Sequence, residues 1–248
     1  MARRTSACYT SCQHRSPVRV KEANLLVQAH LSPRSGGISQ EWVVAASKWA
    51  SIVEIDLQLS SDGEFVVYHD YTLPSGQWVH ETSHAECMSL IAGDARSQGA
   101  IDLDSAASLV RDLDVTICLD LKSGMGPEHD IHRRVSNWIS TSLPAGCKVH
   151  VSDWDHGGLQ AIKRACPNVV VRGALRGRLT NPSGIVEASR LDGVNLAWDC
   201  TRASDVAKLH RHGVLVAFFG GWSDRFVPHA RTCDVDIVIS DHPLPPDV

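Results

Sequence analysis

Apolar stretches of strand length alternate along the chain with segments of helical periodicity. The strand candidates contain continuous apolar runs instead of a clean alternation, which is typical of strands covered by helices on their outer face. Eight β/α units in sequence predict an α/β fold of the (β/α)8 TIM-barrel type, and a doubly wound open sheet is the alternative. The eight strand candidates are residues 24–30, 51–59, 115–122, 148–154, 168–175, 193–198, 213–220 and 236–241.

The segments between these strands have the apolar spacing of amphipathic helices. Residues 39–51, 102–113 and 202–213 place their apolar side chains on one helical face. An additional strand candidate at 63–70 and a helix candidate at 83–92 lie between the second and third main strands. We therefore expect one excursion from the regular alternation at this point.

Length, composition and charge narrow the possible classes of protein. A chain of 248 residues that is 43% hydrophobic and 21% charged can bury a sizeable core and is typical of a globular protein. The net charge of -4 gives no indication of a nucleic-acid partner. No apolar run approaches the roughly 20 residues of a membrane span, so we expect no integral membrane association. We interpret residues 24–248 as a single barrel domain and residues 1–23 as a loose N-terminal tail.

The eight cysteines are scattered and form no CxxC pair, which disfavours a zinc site. The start of the chain is basic and polar and lacks the apolar segment of a secretory signal. These two features predict reduced thiols and a cytoplasmic location.

One segment, HETSH at residues 80–84, matches the H-E-x-x-H zinc motif. That motif requires both histidines on one helical face. Ser83 and Glu86 form a capping-box pattern, which predicts that the helix starts at Ser83 and leaves His80 outside it. We therefore predict that this segment is not a zinc site.

Charged residues interrupt two of the predicted strands. Glu54 and Asp56 are two residues apart and share one face of their strand, and Asp120 and Lys122 repeat this arrangement in the next strand. Unpaired charges are costly in a dry interior, so a buried ion-pair network is one interpretation. Three carboxylates on two neighbouring strands suit a hard divalent cation, Mg²⁺ or Ca²⁺, and we favour this interpretation.

Four blocks of the sequence together resemble the signature of the glycerophosphodiester phosphodiesterase family. AHLSP at 29–33 is similar to the family's His-Arg-Gly segment, and VEIDLQLSSDGEFVVYHD at 53–70 is similar to its Glu-x-Asp block followed by a His-Asp pair. LDLK at 119–122 resembles the Glu-x-Lys strand, and VISDHP at 238–243 resembles the closing Ile-Thr-Asp-x-Pro. The blocks occur in the family's order.

The resemblance implies a PLC-like phosphodiesterase barrel with a defined set of site residues. Phosphodiester cleavage requires charge stabilisation, a base for the nucleophile and an acid for the leaving alkoxide. Two histidines can divide the acid and base work, because histidine titrates near neutral pH. The implied residues are the metal ligands Glu54, Asp56 and Asp120, the catalytic histidines His30 and His69, and Lys122 near the phosphate.

The sequence departs from the family pattern at several positions that contact substrate. The arginine of the His-Arg-Gly segment is absent, and Arg34 could replace it. Asp120 occupies a position where the hydrolases usually have glutamate. Aspartate at this position resembles the related sphingomyelinase D-like branch, which favours attack by a substrate hydroxyl and forms a cyclic phosphate.

Two further features could contribute to substrate binding. Trp222 could supply an aromatic wall for a headgroup. Three arginines that follow the fifth strand could bind a second anionic group of the substrate or belong to a solvated basic loop: Arg172, Arg176 and Arg178.

The sequence therefore predicts a metal-dependent hydrolase that cleaves a small soluble phosphodiester to a phosphomonoester and an alcohol. Two alternatives remain at this point. One is a lyase on the same barrel that forms a cyclic phosphate, and the other is a non-catalytic barrel that binds a phosphorylated ligand.

Overall fold

The computed structural model describes residues 25–31, 38–97, 100–124, 131–178, 180–221 and 225–244. The predicted tail at 1–23, Arg34 and Trp222 lie outside these ranges.

Eight parallel strands close into a barrel in the described part of the chain. Following the sheet, the order is β1-β9-β8-β7-β6-β5-β4-β2, and β1 pairs with β2 to complete the ring. The remaining strand, β3, runs antiparallel along β2. The barrel prediction is thus confirmed, and the open-sheet alternative is wrong. The strands are β1 (Leu26–Ala29), β2 (Ile52–Leu59), β3 (Phe65–Val67), β4 (Thr116–Leu121), β5 (Val149–Asp153), β6 (Val170–Leu175), β7 (Gly193–Ala197), β8 (Leu215–Phe219) and β9 (Ile237–Ser240).

Helices surround the barrel, and side-chain caps fix several of their starts. Ser39, Ser83 and Asp102 each accept a hydrogen bond from a backbone N–H in the first turn of the helix that follows. The helices are α1 (Gln40–Ala46), α2 (His84–Ala92), α3 (Leu103–Asp112), α4 (Ile131–Thr141), α5 (His156–Ala165), α6 (Pro182–Ser189), α7 (Ala203–Arg211) and α8 (Phe226–Cys233).

The H-E-x-x-H match is divided between two elements. Helix α2 begins at His84, whereas His80 lies in a separate 3-10 turn at Val79–Glu81. The predicted start at the Ser83 cap is confirmed, and the two histidines do not share a helical face. None of the described helices is both long and apolar enough to cross a membrane.

The alternation of side chains along the strands produces two different cores. Ile55, Leu57 and Leu119 belong to the large apolar cluster between strands and helices. The barrel interior contains a smaller apolar layer that includes Ile52 and Cys118. Beyond this layer, toward the carboxyl ends of the strands, the interior is lined by charged side chains. The fold therefore places polar groups at the end of the barrel where (β/α)8 enzymes carry their sites.

Candidate active site

Three neighbouring strands position the charged side chains that the sequence singled out. His30 directly follows β1, and its backbone N–H donates to Ser240 on β9. Glu54 and Asp56 lie in β2, and Asp56 is in direct register with Asp120 of β4. Paired residues of parallel strands face the same side, so these carboxylates converge inside the barrel.

His69 reaches the same place by a different route. Strand β3 runs back along β2, with Val67 in register with Leu57, and Tyr68 N–H donates to the Asp56 carbonyl at 3.2 Å. His69, which follows Tyr68, therefore lies beside Asp56 at the carboxyl end of β2. The excursion after β2 thus brings a second histidine to the carboxylates.

The three carboxylates form a compact group with an ammonium beside it. Ligand oxygens of Glu54, Asp56 and Asp120 all lie within 4.8 Å of one another. Lys122 Nζ lies 2.7 Å from Asp56 Oδ1 and 2.6 Å from Asp120 Oδ2. Ser152 Oγ donates to Asp120 Oδ1 at 2.6 Å. One positive charge thus faces three negative ones, which leaves a net negative site suited to a cation.

Burial and the neighbouring charges shift the pKa values of these groups. Burial raises the pKa of Glu54 to about 7; the charge of His30 opposes this, and the neighbouring aspartates add to it. Burial also opposes ionisation of Asp56, but Lys122 and the two histidines outweigh it and hold the pKa of Asp56 below its usual value. Burial lowers the pKa of Lys122, but Asp56 and Asp120 outweigh it and raise that pKa well above normal.

Each histidine is held through its Nδ1 atom by a carboxylate. His30 Nδ1 lies 2.7 Å from Asp241 Oδ1, and His69 Nδ1 lies 2.8 Å from Asp70 Oδ1. The two rings are in edge contact, with centroids 5.4 Å apart and planes at 76°. Because each Nδ1 is engaged, Nε2 is the nitrogen that each ring can offer to a substrate.

The acidic surroundings also affect the protonation of His30. Burial lowers its pKa, but the negative charges of Glu54, Asp241 and Asp56 outweigh burial and raise the pKa to about 9. Without a cation to compensate the carboxylates, His30 therefore holds a proton at neutral pH.

Most of these groups line one cavity of about 580 Å³ at the carboxyl end of the barrel. Its wall includes Trp154 and Phe219, whose rings meet edge to face at 5.9 Å. The Trp154 side chain is half exposed at the mouth. The cavity thus combines a charged floor with an aromatic rim, and its size is suited to a small molecule. Its charged lining residues are His30, Glu54, His69, Asp120, Lys122, Asp241 and His242.

The structure brings together all six site residues that the sequence predicted inside the barrel, and it adds others. Asp241, which orients His30, and Gln28, which donates to Glu54 Oε2, were not predicted. Asp241 follows β9, and closure of a predicted barrel places the end of the last strand beside that of the first. That adjacency is the signal that could have identified Asp241.

Two other charged residues on the barrel strands do not join the six. Asp153 ends β5, but its carboxylate faces the helix layer, where it lies 2.7 Å from His132 Nε2 and accepts from Ser123 Oγ. Arg172 is completely buried on β6, so it neither contacts a second substrate anion at the surface nor belongs to a solvated loop. The aromatic wall predicted at Trp222 concerns a residue outside the described ranges; Trp154 and Phe219 form an aromatic rim instead.

The sequence matches the family model described as the glycerophosphoryl diester phosphodiesterase family over residues 43–244. The chain belongs to this family. The chain is accordingly a phosphoric diester hydrolase, and the interpretation as a non-catalytic binding barrel is wrong. The matched region begins after β1, so the family match does not include His30, and its place in the site is supported by the geometry.

Solved structures of similar proteins share the barrel of this family member at low sequence identity. A phosphodiesterase of Oleispira antarctica, solved in complex with the product sn-glycerol-3-phosphate, is 19% identical with a TM-score of 0.75, over 88% of this chain and 93% of its own. A glycerophosphodiester phosphodiesterase of Parabacteroides distasonis is also 19% identical with a TM-score of 0.75, over 90% and 95% of the two chains. The enzyme of Thermotoga maritima is 19% identical with a TM-score of 0.67, over 89% and 96%. No curated protein matches the sequence.

Proposed function

We propose that this family member hydrolyses a small phosphodiester to a phosphomonoester and an alcohol, with a divalent cation and two histidines as its catalytic groups. The observation that carries the proposal is the shared cavity: two carboxylate-anchored imidazoles face a cluster of three carboxylates and one ammonium. Proton transfer and charge stabilisation, the two requirements of diester cleavage, are thus available at one place.

The cation would be held by Glu54, Asp56 and Asp120. Oxygen donors of this number and charge suit Mg²⁺ or Ca²⁺. Burial and, to a smaller extent, the neighbouring aspartates raise the pKa of Glu54, and a bound cation would favour its ionised form. When bound, such a cation supplies charge stabilisation for the non-bridging phosphate oxygens. Lys122, fixed between Asp56 and Asp120, holds its ammonium at the edge of the same site, where it can contact the phosphate.

The histidines perform the proton transfers in this proposal. His30 accepts a proton from water as the water oxygen bonds to phosphorus, and His69 donates a proton to the departing alkoxide as its bond to phosphorus breaks. Asp241 and Asp70 hold the two rings in the tautomer that leaves Nε2 available. His69 then regains its proton and His30 loses one to solvent, which restores the starting state.

The cavity and a related complex support a small substrate. A volume of about 580 Å³ accommodates a headgroup and a phosphate, and the Oleispira antarctica relative was solved with sn-glycerol-3-phosphate. The rim of Trp154 and Phe219 offers apolar contact to the alcohol moiety. We therefore propose a diester with small alcohol groups as the substrate class.

Asp120 gives specific support to a second candidate, because an aspartate at this position resembles the branch that forms cyclic phosphates. In that reaction a hydroxyl of the substrate replaces water as the nucleophile. Both reactions use the same acid and base, so the products distinguish them.

Phosphorus NMR during incubation with glycerol, choline and sugar diesters, with Mg²⁺ and with Ca²⁺, tests the proposal. We expect a phosphomonoester signal that appears without a cyclic intermediate, since water is the proposed nucleophile. A cyclic five-membered phosphate as the first product would favour the second candidate. No turnover of any diester with either cation would contradict both.

Cation affinity is expected to rise with pH. In the cation-free protein Glu54 carries a proton below about 7 and His30 carries one below about 9. A bound cation must displace the first proton and disfavours the second, so affinity rises by up to about tenfold per pH unit for each proton released. Calorimetric titrations in buffers of different ionisation enthalpy measure the number of protons released. Binding without proton release at neutral pH would contradict this ionisation scheme.

A further inference from the structure

The arginine buried inside the barrel lies below the carboxylate cluster and is not used by the mechanism above. Arg172 is fully buried on β6, among the least exposed large side chains of the described chain. Its register partner on β7 is Gly193, where a Cβ atom would lie only 3.0 Å from Arg172 Cγ. The glycine therefore leaves room for the arginine stem. A buried guanidinium is costly unless its surroundings compensate the charge, so its contacts indicate its role.

The first set of contacts leads from Arg172 to Glu54. Arg172 Nη2 donates to Gln28 Oε1, and Gln28 Nε2 donates to Glu54 Oε2. Arginine can only donate hydrogen bonds, so the Gln28 oxygen must face Arg172 and the amide NH₂ must face Glu54. The arginine thereby determines which end of Gln28 meets the carboxylate. Glu54 Oε2 receives a fixed donor, and Oε1 remains for another partner.

The second set of contacts leads from Arg172 to Asp120. Arg172 Nη2 lies 2.8 Å from Cys118 Sγ, which lies 3.7 Å from Ser152 Oγ, and Ser152 Oγ donates to Asp120 Oδ1 at 2.6 Å. The guanidinium donates to the Cys118 sulfur, and the Ser152 hydroxyl donates its single proton to Asp120. The thiol proton of Cys118 is therefore directed toward the Ser152 oxygen.

We propose that Arg172 is a positioning residue that orients Glu54 through Gln28 and Asp120 through Cys118 and Ser152, and so preorganises both carboxylates for the divalent cation. Every hydrogen bond in the two chains runs away from the arginine and ends on a carboxylate. The arginine contacts neither carboxylate directly, so it acts by fixing the groups between them. This inference rests on the cation site proposed above.

The expected effect is on cation affinity. Removal of a group that hydrogen-bonds to a metal ligand typically lowers metal affinity by about 10- to 100-fold. We expect Arg172→Met, which retains the length of the stem without any donor, to weaken Mg²⁺ or Ca²⁺ binding by this factor. Arg172→Lys retains the charge and one donor nitrogen, and we expect it to recover part of the loss. The kcat of Arg172→Met should approach the wild-type value at saturating cation, since the ligands themselves are intact.

His150 provides a matched control. It faces the barrel interior on β5, where burial and the neighbouring Arg172 lower its pKa to about 3, so it is neutral. Its register partner is Cys118, but no described hydrogen bond joins it to Glu54 or Asp120. We expect His150→Leu to leave cation affinity within about twofold of wild type, far from the loss expected for a positioning group. Gln28→Met interrupts only the chain to Glu54 and should weaken binding even if Arg172→Met does not fold.

Calorimetric titration of the wild-type chain and of each purified variant with MgCl₂ and with CaCl₂ measures cation affinity and tests the positioning role. Circular dichroism shows whether each variant is folded. Weaker binding by Arg172→Met or Gln28→Met, with His150→Leu unchanged, would support the proposal. Wild-type affinity in every folded variant of the two would overturn it while the cation site stands. No binding of either cation by the wild-type chain would overturn the cation site and the positioning role together.

Discussion

Replacement of His69 by alanine is expected to slow the cleavage of an alkyl diester by about a hundred- to ten-thousandfold, the usual contribution of general acid–base catalysis. The same replacement should slow a p-nitrophenyl diester much less. An alkoxide must be protonated as it leaves, whereas p-nitrophenolate is stable without a proton. The size of the loss therefore depends on the leaving group if His69 is the acid.

Replacement of His30 by alanine is expected to slow both diesters equally, because activation of the nucleophile does not depend on the leaving group. The assignment follows the surroundings of the two rings. Asp241, which holds His30, is 9% exposed, whereas Asp70, which holds His69, is 41% exposed. We therefore expect the alcohol to depart on the side of His69.

Steady-state rates of His30→Ala and His69→Ala on both diesters test these roles. His80→Ala is a suitable control, because His80 contacts Trp78 in a neighbouring turn and does not line the cavity. Reversed dependence on the leaving group would exchange the two roles. Near-normal rates of both variants on the alkyl diester would refute the acid–base mechanism.

The sequence predicted the barrel and the carboxylates well because both depend on local patterns. Side chains alternate between the two faces of a strand, so Glu54 and Asp56 share one face and Ile55 and Leu57 share the other. This inference requires no knowledge of any other strand. The order of the strands then follows because consecutive parallel strands usually lie side by side and are joined by right-handed crossovers. Each of these inferences needs only neighbouring residues and general rules of topology.

The partners of the site residues were harder to predict, since they depend on contacts between distant parts of the chain. Asp241 is 211 residues from His30, and Arg172 is 144 residues from Gln28. Arg172 follows an apolar run in sequence, and its position alone does not distinguish a strand interior from a strand end. Its inward direction becomes clear only when its register partner on β5 is known to be Ser152, which donates to Asp120 inside the barrel. Sequence patterns identified the carboxylates and histidines, and tertiary structure was needed to identify the residues that contact them.

Replacement of Asp56 by asparagine is expected to weaken Mg²⁺ or Ca²⁺ binding by at least about a hundredfold and to reduce diester cleavage in parallel. Asp56 is 2% exposed and belongs to both groups of potential ligands, one with Glu54 and Asp120 and one with the two histidines. Two unit charges 4 Å apart attract by about 4 kcal/mol at an effective dielectric constant of 20. A tenfold change in affinity corresponds to about 1.4 kcal/mol. Loss of the Asp56 charge should therefore weaken cation binding by more than two factors of ten.

Asp153→Asn separates this effect from the general consequence of neutralising a buried carboxylate. Asp153 is as deeply buried as Asp56 and also lies on a barrel strand, but its oxygens contact His132 and Ser123 in the helix layer. We expect Asp153→Asn to lower the melting temperature without changing cation affinity, because it weakens the contact between β5 and α4. Asp56→Asn should change affinity whatever its melting temperature. Equal cation affinities for Asp56→Asn and wild type, or full activity of wild type in excess chelator, would show that these carboxylates serve as an ion-pair network and not as cation ligands.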